Sequence, residues 1–471
     1  MFQFINNSLH DFCGCFKHLK TWQWFVVLIV GFMIRNTFRG VTSVVSSLNL
    51  QPEKYHTLLH FFRSTGYQVR DLYNRWIKIA IKSVTIMQID GLVVLLGDHI
   101  KISKEGLRMP WIQKLHQDSQ NSGKPSFIEG HIFGQVSMVI TNGKTSRSLP
   151  LVTQMQASPP RIKGTKKPDG DTLVTQMVNL VYEAAKSIGK PVVVALDAYF
   201  SSEPAWSAAD RAVTETGGRM VEIVTRAQSN TVAYNIPEPL RAKKRGRPQI
   251  YGNKIVLRSL FSDMSKFEQT NMALYGKPAK VRYLCLDLIW KPVKKLVRFV
   301  LVETSSGRCV LMSTSLMLSP IDIIAVYAMR FKIETSFAEQ KNDMGSFMYH
   351  FWTKALPKRK KWKKAELPTV PILQKKVESA KQAMESFVCL CTIATGLLSI
   401  IAFSHSSDIW KCYPGWVRTL RSTVPTIAIT RMALAHHYHS YGLLDRLLHL
   451  PVFAIIKSRM RQVEFLYEDV A

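Results

Sequence analysis

Residues 92–98, LVVLLGD, decide the fold, since a short apolar run rich in β-branched residues is typical of a buried strand. A second run of this kind, VVVALD, occupies residues 192–197. Each run ends in an aspartate, Asp98 in the first and Asp197 in the second. A single aspartate at a strand end is most often a turn residue. Two at matching positions predict a pair of carboxylates at one edge of a sheet, provided that the two strands are neighbours.

The elements around the two aspartates predict that these strands are neighbours. After the first run, the pattern predicts strand, strand, helix, strand, helix and strand at 131–141, 148–154, 172–188, 192–196, 204–214 and 220–225. This is the order of a ribonuclease-H-like (RNase-H-like) fold, in which the first and fourth strands are parallel neighbours at the centre of the sheet. Because parallel strands place their carboxyl ends at the same edge, we expect Asp98 and Asp197 to meet there.

The sequence pattern divides the chain into five parts. Residues 1–85 have helical apolar spacing and are predicted to form a DNA-binding region, and residues 86–227 form the first part of the catalytic core. Residues 228–318 carry short β-branched runs that predict a β-rich insertion domain, with strands such as 254–261. Residues 319–400 complete the core with a helix and a basic loop, and 401–471 are helical. The expected fold class is α/β: an RNase-H-like mixed sheet with flanking helices, a β-rich insertion domain, and helical N- and C-terminal regions.

Two short helices are predicted within the first part, at 41–48 and 53–62. They fit either a helix-turn-helix that reads a major groove or a plain helical hairpin, and the absence of a clear polar recognition face favours the hairpin.

The charge of the chain is its most unusual bulk property. Its 471 residues include 63 Lys and Arg against 33 Asp and Glu, a net charge of +30, which favours a polyanionic partner such as nucleic acid or an acidic membrane surface. Two apolar runs, 24–34 and 387–403, are too short or too polar for membrane spans and predict buried helices. The N-terminus lacks the basic head and cleavage site of a secretory signal. We therefore expect a cytoplasmic protein that binds no membrane.

A second informative segment is YAMRFKIETSFAEQK, residues 327–341. A serine and a proline at its upstream boundary and a glycine downstream predict one helix over 319–345. At 100° per residue, Tyr327, Arg330, Glu334 and Lys341 share one narrow face of that helix. A solvated polar face with an intrahelical Arg–Glu pair would give the same pattern. The two strand-end aspartates favour a functional site instead.

Together, Asp98, Asp197 and Glu334 form a candidate catalytic and metal-binding set. Three such carboxylates repel one another unless cations lie among them. Carboxylate oxygens suit Mg²⁺ or Mn²⁺, and two such ions about 3.5 to 4 Å apart can drive phosphodiester displacement. The cations of the same helix face would then hold nucleic-acid phosphates close to the metals.

Further basic residues follow the predicted strands and loops. Residues 243–248, KKRGRP, match the core of an AT-hook, which enters a narrow A/T minor groove, although a basic solvated loop fits equally well. The stretch 354–376 is rich in lysine and is expected to follow the DNA backbone. The predicted DNA-binding residues are Tyr327, Arg330, Lys341, Lys101, Lys104, Arg226, Arg245, Arg247, Lys360 and Lys361.

The Y-x2-R-x3-E-x6-K spacing at 327–341 resembles the motif of bacterial insertion-sequence transposases that use a DDE triad. The resemblance extends over about residues 20 to 440. It includes GDHIKISKEG around Asp98, EGHIFGQVS at 129–137, LDAYFSS around Asp197, and SLMLSP before the motif helix.

This resemblance implies an RNase-H-like core with a β insertion, in which Asp98, Asp197 and Glu334 bind two Mg²⁺ or Mn²⁺ ions. It implies an enzyme that cleaves double-stranded DNA at transposon ends and joins the freed 3′-hydroxyl to target DNA, acting as a dimer in the DNA complex and associated with a bacterial nucleoid. Two alternatives remain open. One is a catalytically inactive transposase-derived DNA-binding protein, and the other is a structure-specific nuclease without strand transfer.

Overall fold

The computed structural model describes residues 1–38, 40–117, 123, 125–156, 172–237, 249–362, 367–418, 424–440 and 442–461. Its helices, α1 to α14 in chain order, are Phe2–His10, Leu19–Ile34, Val41–Ser47, Lys54–Phe61, Val69–Ser83, Leu173–Ile188, Glu203–Arg211, Pro320–Met329, Lys332–Ala338, Pro371–Ser404, Ser406–Cys412, Ile427–Tyr438, Leu443–Arg446 and Pro451–Lys457. Its strands, β1 to β13, are Gln88–Ile89, Leu92–Ser103, Gln113–His116, Phe127–Thr141, Ser146–Gln156, Val192–Ala195, Val221–Arg226, Val232–Tyr234, Lys254–Val256, Glu268–Leu274, Lys277–Trp290, Lys295–Thr304 and Gly307–Ser313.

The strands of the described residues form one mixed sheet of 13 strands. At its centre β2 and β6 are parallel neighbours, with Val93 opposite Val192 and Leu96 opposite Ala195. On one side β7 is parallel to β6. On the other side β4 is antiparallel to β2, and β5 is antiparallel to β4. The prediction of a mixed α/β sheet with flanking helices is confirmed.

The β-rich segment continues the same sheet. Its last strand, β13, pairs antiparallel with β7, with Leu311 opposite Arg226, and β12 and β11 follow outward. The predicted strand at 254–261 is wrong in part: only Lys254–Val256 is a strand, and Leu257–Ser262 forms a 3₁₀ turn that buries Leu257 and Phe261. Arg226 therefore lies at the junction between the central strands and the β-rich segment.

The two faces of the sheet have different covers because side chains alternate along a strand. In β2, Val93 and Leu95 belong to the larger apolar cluster, which includes α6 and most of the N- and C-terminal helices. Val94 and Leu96 belong to a smaller cluster that α8 and α9 complete. The helical segment that carries the Y-R-E-K residues therefore covers one face of the central strands.

Helix α10 is the long helix of the C-terminal region. Within the described residues it is the only helix long and apolar enough to cross a membrane, and 94% of its apolar window is buried inside the protein. It packs against α2, α5 and β5. The predictions of buried helices at 24–34 and 387–403 are confirmed, and this burial is consistent with a soluble protein.

The helix predicted over 319–345 is not continuous. Ser319 caps α8 as expected, but α8 ends at Met329, α9 begins at Lys332, and a π turn covers Glu339–Asp343. At the junction the backbone hydrogen bonds join residues three apart, as in a 3₁₀ turn; for example, the Ile333 N–H donates to the Arg330 carbonyl. The π turn allows Gln340 to reach Gln135 in the sheet. Tertiary contacts have therefore overridden the simple 100° periodicity on which the shared face was predicted.

Candidate active site

Asp98 lies within β2, at the point where the pairing of β2 with β6 stops. That pairing ends at Leu96, whereas β2 continues to Ser103 beside β4, with Asp98 opposite Gln135. The expectation that the strand ends at Asp98 is therefore wrong. Asp98 nevertheless lies at an open edge, because its neighbouring strand β6 is short and stops before it.

Asp197 occupies the equivalent place after β6. It lies two residues beyond Ala195, as Asp98 lies two residues beyond Leu96, and these two residues are opposite each other in the parallel register. The Asp197 Oδ1 atom accepts a hydrogen bond of 2.7 Å from the Ala198 N–H, and its carbonyl accepts one of 2.7 Å from the Thr225 hydroxyl on β7. The sheet therefore holds both aspartates at the same edge.

Arg330, at the junction of α8 and α9, joins Asp98 to Glu334. Its Nη1 lies 3.3 Å from Asp98 Oδ2, and its Nη2 lies 2.9 Å from Glu334 Oε1. The Arg330 side chain is 17% exposed, whereas that of Glu334 is 60% exposed. The intrahelical Arg–Glu pair is present, but its arginine also contacts a carboxylate on the sheet.

Charge around this edge is strongly coupled. Burial raises the pKa of Asp98 to about 6, and the negative charges of Asp197 and Glu334 act in the same direction, against the His99 N–H and Arg330. Burial alone would lower the pKa of Arg330, but the nearby carboxylates outweigh it and the pKa is raised. The edge is therefore an acidic cluster gathered around one guanidinium.

The remaining motif residues differ in their surroundings. Tyr327 is half-buried, and burial raises the pKa of its hydroxyl, against the nearby charges of Arg330 and Arg226. The hydroxyl is therefore protonated at neutral pH and can donate a hydrogen bond. Lys341 is exposed in the π turn and forms no ion pair with any described acidic residue.

The other predicted DNA-binding residues are dispersed. Lys101 donates a 2.7 Å bond to the His116 carbonyl, and Lys360 and Lys361 are exposed in the basic loop. Arg226 is exposed at the end of β7. Arg245 and Arg247 lie outside the described residues.

Lys104 is placed in the interior instead. It is 8% exposed, and its ammonium group donates to the carbonyls of Phe347 and Tyr349, at 2.5 and 3.1 Å. Burial lowers its pKa to about 8. A contact of Lys104 with DNA would require these bonds to break.

Sequence reasoning missed the buried polar side chains that hold the site. Gln135 lies opposite Asp98, and its Nε2 donates 2.8 Å bonds to the hydroxyls of Ser137 and Ser336, while its Oε1 accepts a bond from Gln340 Nε2. These bonds fix α9 and the π turn on β4. Residues 129–137, which include Gln135, are part of the family resemblance, but the partners of the Gln135 side chain are seen only in the structure.

His99 is another polar residue next to the aspartates. Its Nε2 lies 2.5 Å from Gln156 Oε1, and its ring lies 5.3 Å from that of Phe200. Burial lowers the pKa of His99 to about 4. It is therefore neutral at physiological pH and supports the strand beside Asp98.

The donor atoms at this edge suit a hard divalent cation, because all three are carboxylates. Among the described residues, however, no group of three or more His, Cys, Asp or Glu side chains is arranged to hold a metal ion. Arg330 lies between two of the three carboxylates. For the set to bind a metal, Arg330 would have to move away from Asp98 and Glu334.

No known protein-family model matches this chain, and no curated protein is significantly similar to it.

Proposed function

We propose that this protein is a DNA transposase that uses Asp98, Asp197 and Glu334 to cut transposon ends and join their 3′-hydroxyls to target DNA. The observation that supports this most directly is the common sheet edge of Asp98 and Asp197, with Glu334 tied to it through Arg330. We further propose that the core is RNase-H-like. The strand order β5-β4-β2-β6-β7, in which β5, β2, β6 and β7 run in one direction and β4 alone is antiparallel to them, supports this assignment.

Two Mg²⁺ or Mn²⁺ ions, when bound, would activate the attacking oxygen and stabilise the leaving oxygen of the phosphodiester. The chain itself supplies positioning. Arg330 exchanges its carboxylate partners for a DNA phosphate, which frees Asp98 and Glu334 as ligands. The protonated Tyr327 hydroxyl donates to a phosphate oxygen beside the reacting bond.

The proposed partner is double-stranded DNA, both transposon ends and target, bound by a dimer. The net charge of +30 supports a polyanionic partner, and Arg226, Lys341, Lys360 and Lys361 are exposed. In a bacterial cell this activity would place the protein at the nucleoid.

The decisive experiment compares cleavage with binding. Asp98→Asn and Glu334→Gln should each abolish Mg²⁺-dependent cutting of end DNA while leaving DNA affinity within a few-fold of wild type. Lys190→Gln, a change at an exposed residue after α6, is the matched control and should cut normally. Cleavage that persists in both carboxylate variants would exclude the assignment.

Analysis of the products separates the alternatives. Donor strands joined to target DNA indicate a transposase, and hydrolysed ends without joining indicate a structure-specific nuclease. Specific DNA binding without any cutting in Mg²⁺ or Mn²⁺ indicates an inactive derivative.

A further inference from the structure

A basic cleft starts near the carboxylate edge and extends over the β-rich segment. It consists of two adjoining cavities of about 790 Å³ each, both lined by Arg258 and Arg308. The first cavity also includes Arg226 and Ala198. Because Ala198 follows Asp197 directly, the cleft begins beside the candidate active site.

Three different elements bring the arginines together. Arg226 ends β7, Arg258 lies on the 3₁₀ turn Leu257–Ser262, and Arg308 lies at the start of β13. The pairing of β13 with β7 places Arg226 and Arg308 on adjacent strands but on opposite faces of the sheet, since Arg226 is opposite Leu311 of the smaller apolar cluster and Arg308 lies over Phe261 of the larger one. The sheet and the anchored turn therefore fix the backbone at all three positions, and Arg258 and Arg308 line both cavities.

The charge of the cleft is poorly compensated. Its charged lining residues are five cations and one carboxylate, which gives 5 − 1 = +4: Arg226, Arg258, Arg308, Lys280, Arg282 and Glu303. Glu303 pairs with Arg308 at 2.7 Å and with Arg282 at 3.5 Å. Neither Arg226 nor Arg258 forms an ion pair with a described acidic residue. A folded protein retains such a concentration of positive charge most readily where an anion binds.

The chemistry of the lining favours phosphate over a base. Arginine forks match phosphate oxygens in pairs, whereas stacking of an unpaired base would require an accessible aromatic face. The aromatic ring in the first cavity, Phe261, is 6% exposed and lies under Arg308 at 5.4 Å. The ring therefore supports the guanidinium, whose Nε and Nη2 donate to Glu303 Oε1 at 2.8 and 2.7 Å, so a phosphate would bind at Nη1 or replace Glu303.

We propose that this arginine cleft binds the sugar–phosphate backbone of double-stranded DNA beside the strand being cut. The proposal rests on the proposed function, which supplies the DNA, and extends it from the carboxylate edge to the β-rich segment. The contacts proposed for the arginines are to phosphate, and contacts of this kind position the duplex without reading its sequence.

The test is the salt dependence of duplex binding by the full-length protein without metal, measured by fluorescence anisotropy. Each lost phosphate contact lowers the slope of log affinity against log salt by about 0.9. The double variant Arg258→Ala/Arg308→Ala should therefore show a slope less steep by about 1 to 2, and an affinity about tenfold or more weaker at moderate salt. The control Arg211→Ala/Arg446→Ala removes equal charge from exposed positions outside the cleft and should bind within about twofold of wild type.

An unchanged slope in the Arg258/Arg308 variant, or an equal loss in the control, would overturn the proposal. The conservative pair Arg258→Lys/Arg308→Lys keeps both charges and should restore most of the slope, which guards against misfolding as the cause. Competition by inorganic triphosphate much stronger than by duplex DNA would identify a free polyphosphate as the ligand and would also overturn it. Since none of these readouts needs cleavage, a wild-type protein that binds DNA but does not cut it would refute the proposed function alone.

Discussion

Two arginines lie in or against the helical segment 320–345, which carries the Y-R-E-K residues, and their surroundings differ. Arg330, in its middle, is partly exposed and binds two carboxylates, Asp98 and Glu334. Arg35, from the N-terminal helices, is fully buried at the far end of the segment and binds backbone carbonyls, including those of Met344 and Gly345. One cation faces carboxylates that can take other partners, and the other is enclosed among backbone carbonyls in the interior.

The difference separates a structural cation from an exchangeable one. The carbonyls of Met344 and Gly345 close the end of the segment, where the helix dipole is negative and a cation is favourable. Without Arg35 the Met344 carbonyl would lose its donor, whereas the Gly345 carbonyl would keep the 3.0 Å bond from the Met348 N–H. Around Arg330, by contrast, a metal can satisfy the carboxylates and a phosphate can satisfy the guanidinium. The N-terminal region therefore anchors the segment at one end while its middle stays free to respond to ligands.

The largest effect is expected from Arg35→Met. It should lower the free energy of unfolding by about 3 to 5 kcal/mol, because the buried Met344 carbonyl loses its donor and the rings of Phe32 and Phe387 lose the guanidinium packed over them. The midpoint of urea or thermal unfolding measures this loss. Arg35→Lys keeps a donor and should lose clearly less, whereas a loss under about 1 kcal/mol in Arg35→Met would show that the buried arginine is not an anchor.

The second-largest effect on stability is expected at His131, which connects the chain at Tyr349, just beyond Gly345, to the sheet. The His131 Nδ1 lies 2.6 Å from the Tyr349 hydroxyl, and Nε2 lies 2.8 Å from the Pro110 carbonyl. Neutral imidazole satisfies both, by accepting from the hydroxyl and donating to the carbonyl. Burial, assisted by the charge of Lys104, lowers the pKa of His131 from 6.5 to about 4.

The direction of the pH dependence follows from which state, folded or unfolded, binds the His131 proton. Between pH 6.5 and 4 the unfolded chain binds the His131 proton and the folded chain does not, so folding loses stability as pH falls through this range. The loss approaches about 1.4 kcal/mol per pH unit and about 3 kcal/mol in total. His131→Gln, which does not titrate but can still donate and accept, should show a flatter dependence in unfolding midpoints at pH 5, 6 and 7. Equal slopes in both proteins would contradict this origin.

The central sheet could be predicted because its signals are local. The apolar runs of β2 and β6, the helix between them and the strand order all follow from periodicity, and they place Asp98 and Asp197 at one edge. The continuation of β2 beyond Asp98 could not be predicted, since it depends on pairing with β4, a partner distant in sequence.

The helical segment shows the same limit more sharply. Its serine cap and its residue types could be read from the sequence, but the tightened junction at Arg330 and the π turn depend on contacts with Gln135 and the N-terminal helices. Burial of Lys104 was missed for a related reason. A lysine beside a predicted strand is normally exposed, and nothing in the sequence shows that the chain near Tyr349 covers it.

The smallest effect on stability, and the most informative for the site, is expected from Arg330→Met. The pair with the exposed Glu334 should contribute about 1 kcal/mol or less to folding, and Asp98, whose pKa burial raises to about 6, can take up a proton when its arginine is lost. The variant should nevertheless bind Mn²⁺ about fivefold more tightly in the absence of DNA, equivalent to about 1 kcal/mol, because no guanidinium then competes for Asp98 and Glu334. Titration calorimetry measures this affinity independently of cleavage, with Asp98→Asn as the control that should bind weakly. If Arg330→Met binds Mn²⁺ more weakly than wild type, then Arg330 holds the carboxylates in position for the metal and does not compete with it.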